Sequence, residues 1–255
     1  MELIMCVYRI QIYDWTKLTI FLFFLFPALE KYLSEAGNTR YFFAKFAVTS
    51  KFLYHIILSN SFLLMKVLII FALQREVVDI SLPECEVTTV VSGVGKARSA
   101  MALTRSILEN RPDIVISVGT AGTFHHQVGD IIVCRHVIDR DYYKAKDVLE
   151  LPCEGTTPEL PFIKRFPSVI EGKTIFKSDF MVSCGDDFVT EGEGFGADVV
   201  DMESFAEYDV CQELGVPFFA IKYVTDVIGQ NSMEIWEKRL ADSRTALTTY
   251  FKNIQ

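Results

Sequence analysis

The chain has 255 residues, half of them hydrophobic and 23% charged, with a net charge of −8. That balance excludes a disordered chain and supplies a large core, while an acidic body without a Lys/Arg cluster offers no footing for a phosphate backbone, so nucleic acid is not an expected partner. Six scattered cysteines without CxxC spacing point to free thiols in a reducing compartment, with the cytoplasm as the expected location.

In chain order, the first quarter is a different kind of sequence from the rest. Residues 1–64 hold 6 Lys/Arg against 4 Asp/Glu and 9 of the 21 Phe, whereas the remainder holds 19 against 29 and carries nearly all the negative charge. Leu18 to Phe26 is strongly apolar, yet far short of the roughly 20 residues a membrane-crossing helix needs. It lacks the flanks and the cleavage site of a signal peptide. The favoured expectation is that residues 1–64 are translated upstream sequence before a start at Met65. A membrane-associated extension and an added helical hairpin are the alternatives, and intact-mass measurement of the native protein separates them. For residues 65–255 membrane association is not expected.

From Met65 the pattern becomes regular. Val67 to Ala72 is a short β-branched apolar run that opens onto Gln74, Arg75 and Glu76, as a buried parallel strand does where it emerges into a site loop. A helical turn over Glu76 to Ile80 precedes a strand from Glu86 to Val91. The turn Ser92-Gly93-Val94-Gly95-Lys96 leads into a helix from Ala97 to Glu109. Asp113 to Val118 is the next strand and ends in the turn Gly119 to Thr123. Asp130 to Ile138 and Met181 to Cys184 are further strands around a polar, Pro-dotted section from Asp139 to Ser168. Asp198 to Met202 is a short strand, Glu203 to Leu214 a helix closed by Gly215, Phe218 to Val224 a last buried strand, and Glu234 to Phe251 the closing helix.

Alternating strands and helices without a repeat or linker give an α/β layer architecture, whose site lies beyond the carboxyl ends of the strands. The polar residues found there are Glu76, the Gly93/Gly95 turn, the Gly119 to Thr123 turn, Glu203 and Asp226. SGVGK is neither a complete dinucleotide fingerprint nor a P-loop, so the glycines serve equally well as simple tight turns. Three carboxylates with few cations suit hydroxyl recognition and acid/base work on a ligand of little charge. His125 and His126 are adjacent with no third ligand at metal-site spacing; they read as surface residues, and no metal is expected.

Six motifs, MKVLIIFALQRE, SGVGK, GTAGT with VGD shortly after, CGDDFV, VVDMES and YVTDVIG, stand in an order and spacing that resemble the nucleoside phosphorylase and nucleosidase superfamily. Within it the 5'-methylthioadenosine/S-adenosylhomocysteine nucleosidases are the most similar. The resemblance covers residues 65–255 and leaves 1–64 uncovered. It implies a three-layer α/β/α fold with a central mixed, partly barrel-like sheet, and hydrolysis of the N-glycosidic bond of a 5'-substituted adenosine to release adenine.

Residue by residue, the resemblance implies that Asp226 protonates N7 of the departing purine and that Glu76 activates the attacking water. Glu203 would accept hydrogen bonds from the ribose hydroxyls and Met202 would lie on the sugar face. Phe188 would stack on adenine, Val189 would read the purine edge through its backbone, and Ala72 and Thr120 would line the pocket. Taken alone, Asp226 is equally a turn cap, Glu76 a surface glutamate and Met202 a core residue. No cofactor is implied, and a homodimer is. The segment between Glu76 and Glu86 is shorter than in relatives, Lys222 stands where Arg is common, and Arg140 to Pro158 departs from the family pattern for the 5' pocket. The 5'-substituent is therefore left open, with a futalosine-type hydrolase, a phosphorylase and a non-catalytic purine-nucleoside binding protein as alternative readings.

Overall fold

The computed structural model describes residues 64–143, 145–150, 152–191, 194–230 and 232–254. The expectations for residues 1–63 lie outside the described residues. In chain order the elements are β1 (Met65–Phe71), a 3-10 turn (Gln74–Glu76), β2 (Cys85–Val91), α1 (Lys96–Asn110), β3 (Ile114–Thr123) and β4 (Ile131–Asp139). The short helices α2 (Arg140–Tyr143) and α3 (Lys146–Leu149), β5 (Glu154–Thr156), a second 3-10 turn (Ile163–Arg165), β6 (Ser168–Ile170) and β7 (Lys173–Ile175) follow. The chain then runs through β8 (Phe180–Cys184), β9 (Val199–Asp201), α4 (Ser204–Glu213), β10 (Phe218–Val227) and α5 (Ser232–Lys252).

The near-continuous apolar runs are buried on both faces, because alternate side chains of a strand must each find a core. Val67, Ile69 and Phe71 of β1 enter one core, which α5 covers with Leu247, Tyr250 and Phe251. Leu68 and Ile70 enter the other, which α1 covers with Leu103 and Ile107 and α4 with Phe205 and Cys211. Helices on both faces of one sheet make the three layers.

The sheet is mixed and curls on itself. β3 pairs with β10, β10 with β4, β4 with β8, β8 with β9, and β9 returns to β3 through Gly122 and Val200. Five strands thus form a closed ring, with β1 and β2 extending from β3 as parallel neighbours. This ring is the partly barrel-like sheet that the resemblance implies.

Ring closure explains where the strands run past their expected ends. β3 continues beyond Val118 through the glycine-rich stretch to Thr123, because Gly119 to Thr123 pair with Lys222 to Val227 of β10. The register of that pairing slips between Val224 and Asp226. A bulge of this kind bends the strand and re-aims the side chain that follows it. The helical turn expected over Glu76 to Ile80 is instead the 3-10 turn ending at Glu76. The section from Asp139 to Ser168 holds α2, α3 and β5 as well as loops. Among the described residues, no helix is long and apolar enough to cross a membrane.

Candidate active site

The carboxyl ends of β1, β8 and β9 and the later halves of β3 and β10 enclose a cavity of about 210 Å³. All eight residues picked from the sequence border it: Ala72, Glu76, Thr120, Phe188, Val189, Met202, Glu203 and Asp226. They come from segments up to 154 positions apart along the chain, and the convergence of the strand ends is what unites them.

Glu76 is 4% exposed. Its Oε1 accepts from the Thr120 hydroxyl at 2.6 Å and from the Thr120 peptide N–H at 3.2 Å, and its Oε2 accepts from the Leu73 N–H at 3.1 Å. A carboxylate has about four lone-pair directions, so these bonds fix the group and leave one direction for a further donor.

Asp226 is buried at the end of β10, just past the bulge. The Thr225 hydroxyl lies 2.8 Å from its Oδ1 and 3.2 Å from the Ala121 carbonyl. Its Oδ2 fits against Gly122, where a Cβ would come within 3.2 Å.

Glu203 caps the start of α4 and accepts the Gly95 N–H on Oε1 at 2.9 Å. The adjacent Lys96 N–H donates to Asp186 Oδ1 at 2.7 Å. The glycine turn at the head of α1 therefore presents its amides to two side-chain carboxylates, the use a positive helix end allows. Burial, reinforced by the nearby negative charge of Asp201, pushes the Glu203 carboxyl up to about 8.

Beneath the cavity lies a charge cluster that the sequence did not reveal. The Lys222 ammonium, 3% exposed, contacts Asp201 Oδ2 at 2.8 Å and donates to Ser117 Oγ at 2.9 Å. Burial works against each charge, but each steadies the other: Lys222 holds Asp201 below the ordinary carboxylate value, and Asp201, Glu207 and Glu203 hold the Lys222 ammonium above its own. Glu207, whose Oε1 accepts the Ser99 hydroxyl at 2.6 Å, is raised by burial.

Two further residues were missed. Trp236 of α5 borders the cavity, donates its Nε1–H to Thr120 Oγ1 at 3.0 Å and meets the Phe188 ring edge-on at 6.2 Å. Arg75 stacks over the same indole, 4.8 Å from its centroid. Arg140 is buried behind the segment that carries Phe188; its guanidinium donates to the carbonyls of Ser183, Gly185, Asp187 and Asp201 and to Asp187 Oδ1. His126 is not the plain surface residue expected, being half-buried with a ring nitrogen 3.0 Å from Asp198 Oδ1.

A family model described as the phosphorylase superfamily matches residues 72–252. The chain belongs to the phosphorylase superfamily. This superfamily member is similar to the 5'-methylthioadenosine/S-adenosylhomocysteine nucleosidase of Bacillus licheniformis, with 30% identity over 167 residues, 58% of this chain and 71% of the relative. It is 28% identical over 187 residues to the nucleosidase of the same name from Bacillus velezensis, 66% of this chain and 80% of the relative. Among solved structures, the Streptococcus pneumoniae nucleosidase with a transition-state inhibitor shares its fold at a TM-score of 0.61 and 19% identity, covering 75% of this chain and 100% of that one. The futalosine hydrolase of Helicobacter pylori does so at 0.59 and 20%, covering 76% and 98%.

Proposed function

We propose that this superfamily member hydrolyses the N-glycosidic bond of a 5'-substituted adenosine, of the methylthioadenosine or S-adenosylhomocysteine class, releasing adenine. The observation that carries the reading is the meeting of Glu76 and Asp226, from the two ends of residues 65–255, at one cavity that also holds Phe188, Met202 and Glu203. In this reading the sugar lies between the two acids.

The water occupies the one lone-pair direction left on the Glu76 carboxylate. As the bond from C1' to N9 breaks, its electron pair passes to the purine, and Asp226 delivers a proton to N7. The sugar becomes a flat oxocarbenium-like cation. Water adds at C1' and gives its proton to Glu76. Net, one water is consumed, and one adenine and one free 5'-substituted ribose are formed.

The Thr225 hydroxyl donates to Asp226 Oδ1 at 2.8 Å and lies 3.2 Å from the Ala121 carbonyl, which holds the Asp226 carboxyl at the cavity wall where the purine would stand. Glu203 would take the ribose hydroxyls, Met202 the sugar face, Phe188 the base and Val189 its edge, with Ala72 and Thr120 as walls.

Hydrolysis rather than phosphorolysis is favoured by charge. Among the described residues bordering the cavity there are six carboxylates and one cation, Lys222, which is engaged with Asp201. No unengaged cation among the described residues of that lining offers an anionic second substrate a partner. Adenine release by the full chain from a panel of 5'-substituted adenosines, with and without phosphate, tests the proposal. Base release that depends on phosphate would replace it with the phosphorylase reading; tight nucleoside binding without any release would favour a binding protein. A homodimer and a cytoplasmic location belong to the same proposal, to be read by sedimentation velocity and cell fractionation.

A further inference from the structure

We infer that His125, His126 and Asp198 form a transition-metal site, of the kind that takes Zn²⁺, where β3 leaves the ring and β9 enters it. Two adjacent imidazoles are weak evidence of anything. Folding adds the third ligand from 72 positions further on, and the three ligating atoms all lie within 4.8 Å of one another. Asp198 Oδ1 stands 3.0 Å from His126 Nε2 and 3.8 Å from His125 Nε2. A tetrahedral ion with bonds of about 2.05 Å holds its ligand atoms about 3.3 Å apart. The two separations made by Asp198 straddle that value, and the two imidazoles, within 4.8 Å of each other, would close on an ion by side-chain rotation.

The arrangement is braced in a way that a chance surface pair would not need. The Thr123 hydroxyl donates to the Asp198 carbonyl at 2.7 Å and accepts the peptide N–H groups of His125 and His126 at 3.3 and 3.1 Å. One side chain thereby pins the backbone of all three residues. Asp198 Oδ2 accepts the Met181 N–H at 2.8 Å, which orients the carboxylate so that Oδ1 faces the two imidazoles. Behind His126, Asp130 Oδ2 lies 4.0 Å from Nδ1, beyond hydrogen-bond distance, and accepts the Gln127 N–H instead. His126 and Asp198 are 12% and 20% exposed while His125 is 52% exposed. Two ligands are seated and the third stands at the mouth, which gives an ion a way in.

Two histidines and one carboxylate with an open fourth position suit Zn²⁺ and neighbouring divalent ions, not Mg²⁺ or Ca²⁺. The ion would tie the end of β3, where Gly122 meets Asp226, to the start of β9, which leads to Met202 and Glu203. The proposed hydrolysis uses no metal, so this inference stands or falls separately from it.

The test is calorimetric titration of the chelator-treated full chain with zinc sulfate, with Co²⁺ as the spectroscopic probe and thermal denaturation alongside. The expected result is one equivalent bound, tetrahedral Co²⁺ bands in the visible spectrum, and a raised Tm. Affinity should fall about tenfold or more in His126→Gln and equally in His125→Ala. His125 is exposed, so its variant keeps the fold even if His126→Gln does not. No saturable uptake at one equivalent would overturn the inference. So would uptake lost in His125→Ala yet unchanged in a folded His126→Gln, which would mean chelation by an exposed side chain only.

Discussion

The Thr120 hydroxyl donates to Glu76 at 2.6 Å while accepting from Trp236 at 3.0 Å, so one small side chain couples the cavity carboxylate to the first turns of α5. Because the hydroxyl has a single proton, the indole N–H behind it directs that proton toward Glu76. Thr120→Val would leave both Trp236 and Glu76 short of a partner. A hydrogen bond to a charged group is worth about 1.5–3 kcal/mol, so kcat for adenine release should fall about 10- to 100-fold. Thr120→Ser, which keeps the hydroxyl, should stay close to the unaltered enzyme, and equal losses in the two variants would sink the relay.

Glu76→Gln and Asp226→Asn keep shape and remove acid/base capacity. Each should lower kcat by about 10²- to 10⁴-fold and change nucleoside affinity, measured by calorimetry, only a few-fold. Full turnover in both variants would overturn the mechanism.

In the proposed binding mode, Glu203 should make nucleoside binding depend on pH. Its carboxyl, pushed up to about 8 by burial and then by Asp201, is protonated in the free protein below that value, whereas in the proposed mode ribose hydroxyls would donate to the ionised form. Nucleoside binding below about pH 8 should therefore release a proton, and affinity should weaken toward tenfold per pH unit on acidification. Glu203→Gln should flatten the profile. For the free fold the sign is opposite: a raised carboxyl favours folding below its unfolded value near 4.5, and that contribution is lost as pH rises through about 8. Calorimetry in buffers of different ionisation heat reads the proton directly, and zero release at pH 6.5 would reject this account.

At Gly122 the space is committed. A Cβ there would lie 3.2 Å from Asp226 Oδ2 and 3.3 Å from Ile228 Cγ1. Gly122→Ala should displace the carboxyl by a few tenths of an ångström and cost about tenfold in kcat, because a proton donor works only within hydrogen-bond reach. Its Tm should move much less than its rate; a large Tm loss with normal kcat would place the effect in packing instead.

Much of this fold was legible because buried parallel strands are written as continuous β-branched runs, and the acids stand where those runs stop. β1, β2 and β9 were found within about two residues on that signal. What escaped is what depends on pairings distant in sequence. Nothing in GTAGT announces that it will be drawn into β3 by β10, and nothing in TDV announces the bulge before Asp226. Lys222 sits inside an apolar strand and becomes informative only once Asp201 is seen beside it. Trp236 was hidden on an amphipathic helix, and the third candidate ligand, Asp198, lies too far from His125 and His126 for any spacing rule.

Arg140 was equally illegible, standing in a segment that departs from the family pattern, and its geometry makes the last prediction. Its guanidinium spends its donors on four carbonyls and the Asp187 carboxylate, joining the ends of β8 and β9 to the segment that presents Phe188 and Val189. The planar fork is what allows this, and an ammonium reaches fewer acceptors. Arg140→Met would remove a donor from each of these carbonyls, of which that of Asp201 keeps the Gly185 N–H, at about 1–3 kcal/mol for each one left unpaired, enough to lower Tm by several degrees. Arg140→Lys should retain part of that stability, while the base-binding segment loosens. KM for the nucleoside should then rise about tenfold with kcat changed less, since Arg140 borders neither Glu76 nor Asp226 in the cavity. A Lys variant with unaltered KM would show that the segment holds its shape without the fork.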